Sequence, residues 1–125
     1  MIITQQQKYS VAGREFLAKA QEALDQGDLP QASEKGWGAA ARMVKAIAEQ
    51  RGWPHQSHTA LYQMVRQLVS ETGDPLLDLF FHAAGNLHAN FYENWLPAGS
   101  VQSGLEAMQE FLVKLEQLLE LPRTG

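Results

Sequence analysis

"PLLDLFFHAAGNLHANFYENW" (Pro75–Trp95) decides how the chain is read. Leu76, Leu77, Leu79, Phe80, Phe81, Ala83, Ala84, Leu87 and Phe91 put apolar groups on most sides of one helix. Such a helix belongs in the centre of a bundle or at a subunit interface. Asp74 offers an N-cap, and Pro75 suits the first helical position, where a missing N–H costs little. Polar residues are set closely among the apolar ones. His82, Asn86, Asn90 and Asn94 recur at four-residue steps and form one stripe, and His88 and Tyr92 form a second pair. A buried Asn or His left without a partner costs roughly 1–3 kcal/mol. The group is therefore either an interhelical polar knot that fixes register or a pocket lined by His88, Asn90, Tyr92 and Glu93.

On the C-terminal side, "LPAGS" ends this helix and Ser100 can cap the next. Val101, Leu105, Met108, Leu112, Leu115 and Leu119 then advance by alternating steps of four and three residues, with Phe111 and Leu118 widening the stripe to a globular face. On the N-terminal side, a first helix runs from about Gln6 to Gln26 and stops at Gly27. Asp28 can cap a second helix, with Gln31 as capping-box partner and Pro30 in the first turn. That helix, to about Gln50, carries Ala32, Gly36, Gly38, Ala39, Ala40 and Ala41, small residues that let another helix approach closely. "RGWPHQSH" (Arg51–His58) reads as a loop. A third helix passes through Leu61, Val65 and Leu68 to about Glu71, and "TGD" breaks it. No stretch alternates with period two. The reading is all-α: an antiparallel bundle of four main helices and a shorter fifth, one domain over 1–125, with 121–125 a disordered tail.

The composition narrows the chemistry. Hydrophobic residues make up 45% of the chain, enough for a core. There is no cysteine, so disulfides and thiolate sites are excluded, which suits a reducing cytoplasm. "MIITQQQKYS" lacks the basic and apolar blocks of a signal peptide, and no segment is long and apolar enough to span a membrane. "LPRTG" at the end is similar to a sortase signal but lacks the apolar and basic continuation such a signal needs. Phosphate-binding glycine loops, nucleophile elbows and metal-binding motifs are missing, so no cofactor and no metal are expected. The net charge of −4 is uneven: residues 31–70 are net +3 and residues 71–125 net −6. The two signs can pair within the bundle or between subunits, or leave one basic face for an anionic ligand.

"KGWGAAARMVKAIAEQRG", "SHTAL" and above all "LHANFYENWLP" resemble PaREP-type proteins of the HEPN superfamily, over most of the chain from about Gln31. The resemblance implies a four-to-five-helix bundle, a homodimer, and a link to RNA cleavage, nucleotide binding or toxin–antitoxin biology, including a partner such as a nucleotidyltransferase. Ribonucleases of that superfamily carry Arg, four to six residues, then His on a late helix; the Arg holds phosphate and the His assists proton transfer. Here the matching helix has His88, but Ala83 and Ala84 stand where the Arg would be. The literal match, Arg51 with His58, lies in the loop before helix three. The expected function is a non-catalytic dimeric binding or interaction module linked to nucleic acid, nucleotide or toxin–antitoxin biology, with RNA or a nucleotide as a possible ligand. The alternative is a metal-independent ribonuclease using Arg51, His58 or His88. The loop residues Trp53 and His55, with Arg51 and Lys45 nearby, are the expected contact for RNA, unless Trp53 folds back as a lid on the bundle.

Overall fold

The computed structural model describes residues 2–121. Five helices follow one another: α1 (Gln5–Asp25), α2 (Leu29–Arg51), α3 (His58–Thr72), α4 (Leu76–Glu93) and α5 (Ala98–Glu120). The described residues form no strand, and the fold is an all-α bundle. The tail expected over 121–125 lies outside the described residues, apart from the exposed Leu121.

The boundaries follow local chemistry. Thr4 and Gln7 form a reciprocal capping box at the start of α1. The Asp28 carboxylate accepts the Gln31 N–H at 3.2 Å and opens α2. Gly52 ends α2 in the left-handed region, and the Trp53 N–H returns to the Ala48 carbonyl at 2.9 Å. Ser57 caps α3 through the Ala60 N–H, so His58 is the first residue of that helix rather than part of the loop. Gly73 closes α3, again left-handed. Asp74 accepts the Leu76 N–H at 3.0 Å, the service expected of a cap, although helical geometry begins one residue beyond Pro75. Ser100 does not cap α5. The helix starts at Ala98 behind Pro97, three residues earlier than a Ser100 cap would place it, because the proline already fixes the turn into it.

The centre of the bundle is α2, not α4. Thirteen residues of α2 are buried, and it touches all four other helices. Small side chains explain this. A Cβ on Gly38 would lie 2.5 Å from Phe16 Cδ2, and one on Gly36 would lie 2.6 Å from Leu105 Cδ2. Helix α1 therefore reaches the α2 backbone more closely than alanine would permit at Gly38, while at Gly36 the Leu105 side chain of α5 would have to shift to admit a Cβ. Around α2 close Phe81, Leu87, Phe111, Leu112 and Leu115, all effectively unexposed. The outward side of α4 keeps Leu76 at 41% and Leu79 at 59% exposure.

Part of the uneven charge is taken up inside the molecule. Arg14 pairs with Glu116, Arg51 with Glu71, Arg66 with Asp78 and Lys114 with Asp74. Lys35 and Arg42 sit over the Phe16 ring, and Lys45 over Tyr9. These contacts are partly solvated, so each contributes at most about 1 kcal/mol.

Candidate functional site: a paired-histidine cluster over Trp37

Three helices bring one aromatic and imidazole cluster together. From α2, Glu34 and Trp37 sit three residues apart and so face the same way. From α4, Phe81, His88 and Tyr92 follow at steps of seven and four. From α3 comes its first residue, His58. Trp37 is the floor, 6% exposed. Its ring centre lies 5.0 Å from that of His58, 5.0 Å from that of His88 and 5.5 Å from that of Phe81. The two imidazoles meet edge to face at 5.3 Å. Tyr92, 71% exposed, stands edge-on to His88 at 5.5 Å and continues to Phe91 at 4.9 Å.

Glu34 sets the chemistry of His88. Its Oε2 lies 3.1 Å from His88 Nδ1. A carboxylate can only accept, so this bond needs the proton on Nδ1 and leaves the lone pair of a neutral ring on Nε2. An oriented imidazole beside a second, exposed imidazole offers two things: a stacking surface that gains positive charge on protonation, and a base with a fixed tautomer. Among the described residues the ion pairs and ring contacts of this cluster include no Lys or Arg.

The other sequence candidates fall elsewhere. Asn90 is fully buried and committed to the fold: its Nδ2 donates to Ser33 Oγ at 2.8 Å, and its Oδ1 accepts the N–H groups of both Trp95 and Leu96 at 2.8 Å. The four-residue stripe is not one surface, because Asn90 points inward, His82 lies outside at 3.5 Å from Asp78, Asn86 is exposed, and Asn94 is the left-handed C-cap of α4. Glu93 is exposed at the end of α4.

Arg51 does not join His58. Its guanidinium is bonded to Glu71, near the far end of α3, about 20 Å along a helix that rises ~1.5 Å per residue. The same guanidinium lies over the Trp53 ring at 4.9 Å. Trp53 packs half-buried against the core, in the manner of a lid. His55 is turned toward Glu49, at 3.1 Å, and edge-on to Tyr9 at 5.6 Å, which pins the loop to α1 and α2.

Sequence reading missed Glu34 and Trp37. The available signal was their three-residue spacing on α2, where a carboxylate and a large aromatic interrupt a face of small residues. His58 also gained a helical position that no loop assignment gave it. Among the described residues no three His, Cys, Asp or Glu side chains are placed to hold a metal ion. No helix among them is long and apolar enough to cross a membrane.

The fold has a solved counterpart. A crystal structure of a protein from Sulfolobus solfataricus superposes with a TM-score of 0.78 at 22% identity, covering 96% of this chain and 100% of that one. At that identity the likeness is one of fold. Comparison with curated proteins finds no match. The model of one family does match, over residues 9–112, and on that match the chain belongs to the archaeal PaREP1/PaREP8 family.

Proposed function

We propose that the protein is a HEPN-like, non-catalytic module that binds single-stranded RNA or a nucleotide at the cluster of Trp37, His58, His88 and Tyr92. The observation that carries the reading is the pair of imidazoles in edge-to-face contact beside an exposed tyrosine. Bases stack on such rings, each contact being worth ~1–3 kcal/mol. A protonated imidazole adds attraction for phosphate that does not need a permanent cation. The resemblance to the HEPN superfamily supports the ligand class. It also supports a homodimer, for which the exposed Leu76 and Leu79 of α4 offer the surface. A nucleotidyltransferase or another toxin–antitoxin component is the protein partner this reading favours.

The test is titration of a labelled mixed-sequence RNA with wild type, His58→Ala, His88→Ala and Tyr92→Ala, at low and moderate salt. Loss of one stacking ring should weaken binding by about 5- to 150-fold. Equal binding by all four proteins, or none by wild type, removes the proposal. Light scattering of the same samples tests the dimer, and a species that stays monomeric at micromolar concentration removes it.

One observation favours a second reading. The bond from His88 to Glu34 is the arrangement that orients a general base, and the His58 ring lies beside it, centre to centre 5.3 Å from that of His88. Metal-independent RNA cleavage would then lose ~10²–10⁴-fold in rate in His88→Ala. Electrophoresis of the titrated RNA reads this directly. Intact RNA after prolonged incubation with wild type leaves the binding reading alone.

A further inference from the structure

His88 spends Nδ1 on Glu34, 3.1 Å from Oε2, so Nε2 is the free nitrogen of its neutral ring. A histidine that ligates a metal almost always donates its other ring N–H to a carboxylate, a carbonyl or water, which fixes the tautomer and raises the basicity of the ligating nitrogen. Glu34 and His88 already stand in that relation. His58 brings a second imidazole beside the first. Among the described residues it makes no hydrogen bond or ion pair, so both its nitrogens are uncommitted, and its exposed ring can turn either one toward His88.

The two ring centres lie 5.3 Å apart. A tetrahedral zinc ion, with Zn–N bonds of ~2.0–2.1 Å, holds two imidazole centres about 5.2 Å apart. Ordinary ring pairs span this distance too. Packing alone, however, has no need of a carboxylate behind one of the rings. The cluster also holds no competing cation, since its ion pairs and ring contacts include no Lys or Arg among the described residues. Imidazole ligands suit zinc, copper and nickel, whereas magnesium takes carboxylate and water oxygens. Among the described residues no third ligand converges on the pair, Glu34 being spent on Nδ1. Two positions of a tetrahedral ion therefore stay open. We propose that His58 and His88 together hold one divalent cation of the zinc class, with Glu34 as the outer carboxylate behind His88. The ion gives the cluster the permanent positive charge that its side chains lack, and its open positions take an anionic oxygen. That use rests on the proposed function; the cation site itself does not.

Calorimetric titration of the full chain, stripped of metal with a chelator and free of RNA, with zinc chloride and with magnesium chloride tests it. One zinc per chain and no magnesium is the expected result. His58→Ala and His88→Ala should each weaken zinc by at least about tenfold, and Glu34→Gln by about 10- to 100-fold. His55→Ala and His82→Ala remove the imidazoles that face Glu49 and Asp78, and should leave zinc binding unchanged. His58 is exposed, so its variant keeps the test independent of folding even if His88→Ala loosens the cluster. No zinc taken up by wild type, wild-type affinity in His58→Ala, or a loss in His55→Ala or His82→Ala instead, overturns the proposal. Half an ion per chain, the mark of a cation shared between two copies, also overturns it. The proposed function fails separately: zinc bound as expected, with no RNA bound in zinc or in chelator, leaves the cation site standing alone.

Discussion

Asn90 donates to Ser33 across 2.8 Å, with both residues wholly removed from solvent. The same amide oxygen holds the Trp95 and Leu96 N–H groups as the chain leaves α4. One side chain therefore joins α4 to α2 and shapes the turn into α5. Asn90→Ala strands these donors, and an unmade buried hydrogen bond costs ~1–3 kcal/mol. The expected loss is about 2–4 kcal/mol, because one of the two N–H groups can be rehydrated. Ser33→Ala should cost about 1 kcal/mol, since it removes only one partner of the amide. Thermal melts of the two variants and their double mutant check this. Strict additivity would show that the two side chains do not act together.

The close approach at Gly38 makes a second prediction, with a contrast at Gly36. Alanine gains up to ~1 kcal/mol over glycine in a helix interior. At Gly38 the new Cβ meets the Phe16 ring at 2.5 and 2.9 Å, a rigid group already held under the Arg42 guanidinium at 3.8 Å. Overpacking of this kind costs ~1–3 kcal/mol, so Gly38→Ala should be destabilising by about 1 kcal/mol net. At Gly36 the obstacles are the methyl ends of Leu105 and Leu87, at 2.6 and 3.0 Å, which can rotate. Gly36→Ala should come out within about 1 kcal/mol of wild type. Denaturant midpoints in the opposite order would refute the close-packing account of α2.

These residues also show how far the sequence could be read. The stops at Gly27, Gly52 and Gly73 and the four-three spacing of α5 are local signals, and the helices fall where those signals put them. Centrality is not local. It belongs to α2 because glycine and alanine admit neighbours, while α4, with more apolar side chains, keeps an open flank at Leu76 and Leu79. The site divides in the same way. His88 and Tyr92 share a face by their spacing within one helix. Glu34 is 54 residues from His88, and only the packing of α2 on α4 brings them together. Asn90, two residues from His88 and two from Tyr92, lies about 200° round the helix from each and faces inward, where its oxygen serves the turn after α4.

A pH dependence follows from Asp74. The Lys114 ammonium donates to its carboxylate at 2.8 Å, and the Leu76 N–H donates to the other oxygen at 3.0 Å. The ammonium first, and the backbone N–H after it, hold this carboxyl below the usual carboxylate range. The folded state keeps the charge at a pH where the unfolded chain, with a value of about 3.9, takes up a proton. The stabilisation is therefore present above that value and is lost as pH falls through the folded one. Asp74→Asn should flatten the acid limb of the melting profile below about pH 4. At pH 7 the ion pair it removes is worth less than about 1 kcal/mol, because the pair is partly solvated. An acid limb identical to wild type would place the acid sensitivity elsewhere.

Glu34 separates the two functional readings by the sign of one effect. Glu34→Gln keeps an oxygen that can accept the His88 Nδ1–H but removes a negative charge from beside the cluster. If the cluster only binds, that charge opposes the phosphates of a strand. Its loss, at a distance of about 6 Å in a largely aqueous setting, is worth ~0.5–1 kcal/mol. RNA affinity should then rise by about two- to fivefold at low salt, and the gain should fade as salt screens it. If the cluster instead cleaves RNA, the carboxylate fixes the tautomer of the base and supports the charge that develops on it. An amide can present its NH₂ group to Nδ1 and select the wrong tautomer, a substitution that costs up to ~10⁴-fold in the serine protease triad. Parallel measurement of affinity and cleavage in wild type and Glu34→Gln therefore gives opposite outcomes. Tighter binding with intact RNA supports recognition, and a fall in cleavage rate supports catalysis. A variant indistinguishable from wild type in both assays removes the Glu34–His88 contact from the function altogether.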